Sequence, residues 1–428
     1  MSEKFDGVIV GAGIAGCTAG YVLAKAGLDV LIIERGDYPG SKNVTGGRIY
    51  SHSLEKIIPD FARKAPVERK VIKEKISFLT PSSAVTLDYH STRLGDSFKD
   101  SYTVLRSEFD RWLAESAEEA GAVLAAGVRV DDLLLRDGKV IGVKAGDDEI
   151  EAEVVILADG VNSLLGQKAG LKKELVPSDV AVGAKEVIAL PENVIEDRFN
   201  LTEGEGATWM FVGSCTGGAI GGGFLYTNKK SLSLGIVCSL GDIENSDITV
   251  CQMLEEFKQH PAVKPLIKDG KLVEYSGHLV PEAGYNMIPE LFNDGVVIIG
   301  DAAGFVINLG YTVRGMDLAI ASAEAAANTV IEAKRRQDFS KESLSLYKKL
   351  LDQSFVMKDL ALHRKFPHFM ENKRLYKAYP EMIDNIMADM FMIGDDCGKP
   401  LRKKVMGNLK SIGLPTLLMD GIKGGFAL

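Results

Sequence analysis

Between a short apolar run at 5–10 (FDGVIV) and a helical pattern at 14–26, the chain places Gly11, Gly13 and Gly16. That spacing suits a diphosphate. One glycine allows a tight turn, one lets the backbone approach phosphate closely, and one lets helix and strand pack closely, while the helix start that follows offers free N–H groups and a favourable dipole. Glu34 ends a second apolar run, 29–33, and lies 21 residues past Gly13, where a carboxylate accepts hydrogen bonds from a ribose diol. The same charge disfavours a 2′-phosphate, which argues against NADP in this unit. Val10, Gly11, Ala12, Gly13, Ile14, Ala15 and Gly16, with Glu34 and Arg35, therefore form a candidate dinucleotide site.

Three further segments end where a cofactor is expected to lie. An apolar strand within 154–163 (VVILADGVNS) stops at Asp159 and Gly160. Another within 296–304 (VVIIGDAAG) stops at Gly300 and Asp301, then passes Gly304, Asn308 and Gly310 into an Ala-rich helical stretch at 314–335. Arg106 opens a helical pattern at 106–120, and Val130 lies in a short expected strand at 128–135. FAD and NAD both satisfy the glycine motif, but the four segments in this order resemble the flavoprotein superfamily of p-hydroxybenzoate hydroxylase and geranylgeranyl reductase. The resemblance implies that Arg106 lies near FAD, with a charge-assisted contact to phosphate or ribityl oxygens. It implies also that Asp159 and Gly160 support the cofactor and that Asp301 takes a ribityl hydroxyl. The helix after Asp301 would point its N-terminus at the flavin ring and stabilise negative charge on the reduced flavin. Val130, Gly304 and Asn308 complete the candidate cofactor set.

Longer strings sharpen the resemblance. The segments 43–50 (NVTGGRIY), 221–228 (GGGFLYTN), 277–281 (GHLVP) with Glu282, and 308–317 (NLGYTVRGMD) look like the FixC branch of the electron-transfer flavoprotein:quinone oxidoreductase family. What that implies is an FAD enzyme that accepts electrons from a reduced electron-transfer flavoprotein heterodimer and passes them toward a quinone or a ferredoxin-like carrier. The longer family members carry a ferredoxin-like domain with four Cys around a [4Fe–4S] cluster, whereas here Cys397 is the only Cys after Cys251. In the FixC branch the cluster belongs to a separate small ferredoxin-like iron–sulfur subunit, which is the expected partner. The flavin is the catalyst, so no catalytic side chain is assigned. An alternative on the same fold is an NAD(P)H-dependent flavin monooxygenase or a geranylgeranyl-type isoprenoid reductase; a third is a flavin-binding scaffold without turnover.

The elements that must hold these residues read as an α/β protein. A βαβ unit opens a Rossmann-type FAD-binding domain, 1–170, with a strand excursion at about 72–105. A β-rich domain of substrate or quinone type, 171–289, reads as an inserted antiparallel sheet, with strands at 223–226 and 232–238 joined by a polar turn and a helix at 249–259 closed by His260 and Pro261. The segment 290–339 returns to the first domain, making it discontinuous, and 340–428 is a helical C-terminal region.

Composition closes off other classes. With 46% hydrophobic and 25% charged residues in 428, disorder is excluded, and a net charge of −9 gives no general attraction for nucleic acid. Five Cys without a CxxC provide no disulfide framework, which fits a reducing compartment. The uncharged stretches 7–24 and 206–228 are too rich in glycine to be good spanning helices, and no signal peptide precedes the first strand. The expectation is a cytoplasmic protein, peripheral to the inner face of the membrane where it meets a quinone. The six His show no HExxH or HxH spacing, so no metal site is assigned. Cys17 reads as packing against the sheet, and Lys42, Arg48 and Tyr311 fall in segments that approach the flavin. The tail 398–428 carries six basic residues against Asp420 alone. It is either a docking surface for an acidic ferredoxin or anionic lipid, with Leu414, Leu417, Leu418, Ile422 and Phe426 in apolar contact, or a basic helix with its apolar side packed on the body.

Overall fold

The computed structural model describes residues 4–42, 47–96, 99–244, 246–282, 284–395, 398 and 400–427. The chain opens with strand β1 (Phe5–Val10), helix α1 (Ile14–Lys25) and strand β2 (Val30–Glu34). β1 from Gly7 and β2 up to Ile33 are buried at every residue, the pattern of parallel strands covered on both faces. On α1 the small residues allow the helix to lie close: a Cβ on Gly20 would collide with Ile32.

The chain then leaves this sheet for β3 (Gly47–Tyr50), β4 (Val67–Leu79), β5 (Ala84–His90) and β6 (Ser101–Val104). Helix α2 (Arg106–Glu119) brings it back to β7 (Val123–Ala126), the hairpin β8 (Asp132–Arg136) and β9 (Lys139–Ala145), and β10 (Asp148–Leu157). The strand expected at 128–135 begins only at Asp132. Residues 128–131 run instead past the end of β2, where the Val128 N–H donates to Glu34 O at 2.9 Å.

Next come β11 (Val180–Ala189), β12 (Glu205–Gly213), β13 (Gly221–Thr227), β14 (Ser231–Ser239), helix α3 (Val250–Gln259) and β15 (Lys271–Pro281). Thr249 and Gln252 form a capping box at the start of α3, which lays Val250, Met253, Leu254 and Phe257 inward. The return segment is β16 (Phe292–Asn293), β17 (Val296–Ile298), a two-stranded ribbon of β18 (Ile307–Asn308) and β19 (Val313–Arg314), and α4 (Met316–Arg336). α4 starts two residues later than the sequence pattern suggests because Arg314 is held in β19. The C-terminal region ends in α5 (Ala378–Phe391), α6 (Leu401–Ile412) and α7 (Leu414–Ala427).

The first sheet has the strand order β16-β17-β10-β1-β2-β7, with β10, β1 and β2 mutually parallel and β17 parallel to β10. α1 and the alanine-rich face of α4 pack against each other beside it. The second sheet runs β15-β11-β14-β13-β12-β4-β6-β3, with β5 on the outside of β4. The sheet is antiparallel-rich as expected, with one parallel pair, β12 on β4, through which β3 to β6 supply four of its nine strands. Alternation marks a segment as a strand but does not name its neighbour. The neighbour is set by distant polar side chains: buried Arg69 on β4 donates to Asn228 O at 2.8 Å, Glu205 O at 3.0 Å and Glu196 Oε1 at 3.0 Å. Trp209 Nε1 donates to Ser77 Oγ at 2.7 Å, and Thr103 Oγ1 to Thr227 O at 2.8 Å.

The tail folds as two helices. Asp420 on α7 is buried and accepts from Arg374 Nε and Nη2, each at 2.7 Å, and from Tyr379 Oη at 2.6 Å. Gly424 lies against Phe369. That anchored face leaves Leu414, Leu418, Met419, Ile422 and Phe426 exposed, the last by 78%, while Leu417 is half-buried. The apolar side of α7 is therefore turned away from the body. Among the described residues no helix is long and apolar enough to cross a membrane.

Candidate active site

Between the carboxyl ends of the first sheet and the second sheet lies a cavity of about 1510 Å³, more than the roughly 300–1,000 Å³ of a drug-sized pocket. Val10, Gly11, Gly13, Ile14 and Ala15 form its rim on one side. Gly11 has a φ of +105°, and a Cβ there would run into Ala158 O, so only glycine fits this turn. Gly16 is behind the wall, where a Cβ would strike Gly11 O. Ala12 is also behind it, fully buried, with its N–H donating to Glu34 Oε2 at 2.9 Å. Around Gly13 the space is open, the nearest atom to a Cβ being Arg106 Nη2 at 4.0 Å.

Glu34 and Arg35 line the next stretch with Val130. The second Glu34 oxygen accepts from Gly36 N–H at 2.7 Å, so the carboxylate clasps the glycine turn and the segment after β2. Each oxygen retains a lone pair for a ribose hydroxyl. Arg106 reaches the cavity, but its Nε and Nη2 are taken by Asp110 at 2.8 and 2.9 Å. The i,i+4 spacing on α2 makes that fork-to-fork pair, leaving the two Nη1 hydrogens and the second Nη2 hydrogen for any cofactor contact.

Asp159, Gly160, Asp301 and Asn308 line the far side; Gly300 and Gly304 shape the turn beneath them. Gly300 N–H is held by Ser322 Oγ on α4 at 3.0 Å. Burial pushes the Asp159 carboxyl up despite Ser163 beside it, and Asp159 Oδ1 is buried with no hydrogen-bond partner. Burial also pushes Asp301 up, opposed by Arg106, Lys185 and Lys172. An orphaned carboxylate oxygen and the open backbone at Gly13 and Gly160, where no atom lies within 4 Å of a Cβ on Gly160, are what an extended dinucleotide with ribityl hydroxyls requires. The residues present fit FAD. The N-terminus of α4 opens on the same space through Gly315 and Met316.

Several residues in or behind the cavity wall were given no role by the sequence reading. Lys172 sends its Nζ to Val161 O at 2.7 Å and Ala302 O at 3.2 Å, tying the loops that carry Asp159 and Asp301. Lys185 on β11, with His278 on β15, faces the cavity from the second sheet. Burial, with Lys185, Arg106 and Arg35, pushes His278 down to about 4, so it is neutral at pH 7. Glu282 follows β15 and is pushed up to about 7 by burial and by Asp242. Nothing local distinguishes a cavity-facing lysine from a solvent-facing one on a strand. Lys42, Arg48 and Tyr311 do line the cavity, and Arg48 pairs with Glu74 at 2.5 Å. Cys17 is fully buried, its thiol donates to Ala12 O at 3.2 Å, and burial pushes its pKa well up, as packing requires. Among the described residues no cluster of His, Cys, Asp and Glu could hold a metal. Cys397 and the first four residues of the 43–50 string lie outside the described residues.

The FAD binding domain family matches residues 4–205, the ubiquinone-binding domain of electron-transfer flavoprotein-quinone oxidoreductases (ETF-QO) matches 181–280, and the ETF-QO/FixC family C-terminal domain matches 366–428. Over 426 residues, covering 100% of this chain and 99% of the relative, the sequence is 60% identical to Probable electron transfer flavoprotein-quinone oxidoreductase YdiS of Escherichia coli K12. The chain belongs to the ETF-QO/FixC family. FAD is its cofactor, and it is an FAD-dependent oxidoreductase. Protein FixC of Salmonella typhimurium is 56% identical, with 99% of both chains covered. FixC of Bradyrhizobium diazoefficiens is 40% identical over 99% of this chain and 98% of its own. A geranylgeranyl bacteriochlorophyll reductase-like protein from Thermoplasma acidophilum shares the fold, with a TM-score of 0.74 at 21% identity and 99% of both chains covered. In this ETF-QO/FixC protein the ubiquinone-binding match falls on β11 to β15, the strands that bring Lys185 and His278 to the cavity.

Proposed function

We propose that this protein accepts electrons from a reduced electron-transfer flavoprotein heterodimer and passes them to a quinone, with a separate small ferredoxin-like iron–sulfur subunit as a further partner. The observation that carries the proposal is full-length similarity to YdiS and FixC, with the ubiquinone-binding match on the very sheet that walls the cavity. When bound, FAD accepts electrons from one carrier and yields them to another, singly or in pairs. The chain's part is to hold and shield it. Gly11, Gly13 and the start of α1 receive the diphosphate; Glu34 and Arg35 take the ribose end; Asp159, Asp301 and Asn308 serve the ribityl end. The start of α4 supplies a positive dipole where negative charge accumulates on reduction. Two ion pairs fix it: Arg314 to Asp317, with Nε and Nη2 at 2.9 and 2.6 Å, and Arg314 Nη1 to Asp359 at 2.6 Å.

The rest of the cavity, lined by Phe224, Tyr226 and Val280 on the second sheet, suits an apolar ring such as a quinone. The exposed residues Phe391, Met392 and Ile393 at the end of α5, with the apolar side of α7 and the basic residues Arg402, Lys403, Lys410 and Lys423, favour approach of that quinone from an anionic membrane surface. A reconstituted assay with reduced electron-transfer flavoprotein and a short-chain quinone is expected to yield quinol. No quinol while the flavin is fully reduced would refute the quinone step, and native pull-down without a small iron–sulfur protein would refute that partner.

A further inference from the structure

Several enclosed cations among the described residues are spent on hydrogen-bonding partners, and Lys185 is not. Lys73 donates to Phe199 O and Asn200 O, both at 2.9 Å; Lys172 to two carbonyls; Arg69 to carbonyls and carboxylates; Arg106 to Asp110. Lys185 has no hydrogen bond or ion pair among the described residues. It sits on an inner strand of the second sheet, opposite Gly235 on β14 and Ser276 on β15, with its Nζ 5.9 Å from the centre of the Phe224 ring. The ammonium therefore lies beside an aromatic ring that lines the same cavity, and the titratable and charged groups facing it are Arg106 from α2, Asp301 from the turn after β17, and His278 from β15. Asp301 is not within ion-pair distance, Arg106 repels, and His278 is neutral at pH 7. An unpaired enclosed charge is costly unless an anion arrives to meet it.

We propose that Lys185 donates from the second sheet to the diphosphate of bound FAD, so that the cofactor is held between the glycine turn of one sheet and a cation of the other. The glycine turn supplies N–H groups and a helix dipole but no formal charge, and the charge of Arg106 is partly offset by Asp110, so a diphosphate bound there is only partly neutralised and calls for a second enclosed cation. Lys185 supplies it. In the protein without FAD, burial and then Arg106 push the amine down to about 8. A neighbouring dianion favours the charged form and raises that pKa. At pH 8 the amine then goes from partly to fully protonated, so FAD binding takes up on the order of half a proton. The inference stands on FAD as cofactor and is indifferent to the electron acceptor.

The test uses the full-length chain, deflavinated, with FAD and riboflavin titrated calorimetrically at pH 8 in two buffers of different ionisation enthalpy. Lys185→Met is expected to weaken FAD binding roughly 10- to 100-fold, as loss of a charge-assisted hydrogen bond does, and riboflavin binding by less than twofold. Lys185→Arg restores FAD affinity while abolishing proton uptake, because guanidinium does not titrate there. Circular dichroism and melting of each deflavinated variant show whether the fold is retained; Lys185→Gln provides a second neutral variant. FAD affinity within twofold of wild type in a folded neutral variant would overturn the proposal. So would equal losses for FAD and riboflavin, which would put the amine on the ring rather than the diphosphate, or proton uptake that persists in Lys185→Arg.

Discussion

The two sheets serve one cavity by different chemistry. The first contributes a backbone cradle, a glycine turn and a helix start where a side chain would obstruct the ligand, with acidic side chains at its strand ends. The second contributes side chains, Lys185 and His278 with Phe224, carried on strands whose neighbours lie far away in sequence. Backbone cradles leave a local signature because only glycine satisfies them. Side-chain walls leave little, because any strand can carry a lysine and only the tertiary pairing decides where it points.

The contrast can be broken at either end. The largest effect is expected from Gly11→Ala, which combines a left-handed φ with a collision against Ala158 O. The variant should purify without flavin, seen as loss of visible absorbance; a yellow protein with native FAD content would show that the turn tolerates a side chain. Next is Arg69→Met, which leaves carbonyls and Glu196 facing an apolar stem and should cost about 3 kcal/mol in urea denaturation. The second sheet should loosen first, reported by Trp209 fluorescence, while the glycine turn stays formed; simultaneous loss of both would mean the sheets do not differ in this way.

A smaller effect concerns Glu282. Its carboxyl titrates higher in the folded protein, at about 7, than in the unfolded chain, so the fold binds more protons between about pH 4.5 and 7. That contribution is fully present below pH 4.5 and is lost as pH rises through 7. Glu282→Gln should therefore be more stable than wild type at pH 8, relative to pH 5, by on the order of 2 kcal/mol. Parallel stability profiles for the two proteins would remove Asp242 and burial as the cause. Smallest for the flavin is the double variant Leu418→Ser with Phe426→Ser, on the exposed side of α7. FAD content and melting temperature should hardly move, whereas sedimentation with anionic vesicles should fall several-fold; unchanged sedimentation would leave that face without a membrane role.

The same contrast explains what the sequence made legible. The βαβ opening, the Asp159 and Asp301 strand ends and the helix after Asp301 are local patterns, and the cofactor residues they suggested converge on one cavity or on the turns directly behind it. Arg106 was visible as a helix-opening arginine, but its commitment to Asp110 needed the rotamers of both side chains. The parallel pairing of β4 with β12 was hidden because Lys70 and Glu205 are neighbours across 135 residues of chain, held by the single buried guanidinium of Arg69. The outward turn of the apolar side of α7 follows from the contacts of Asp420 with Arg374 and Tyr379 and of Gly424 with Phe369, which select the opposite face from the one hydropathy alone would bury.

The central claim, that electrons arrive from a carrier protein and not from a nicotinamide, is tested most directly by anaerobic mixing of the oxidised holoprotein with NADH or NADPH alone, followed by addition of reduced electron-transfer flavoprotein, with flavin absorbance recorded throughout. The account predicts no bleaching in the first step and rapid bleaching in the second. Fast bleaching by NADH or NADPH without the carrier would contradict it and point to a nicotinamide-driven monooxygenase or reductase on this fold.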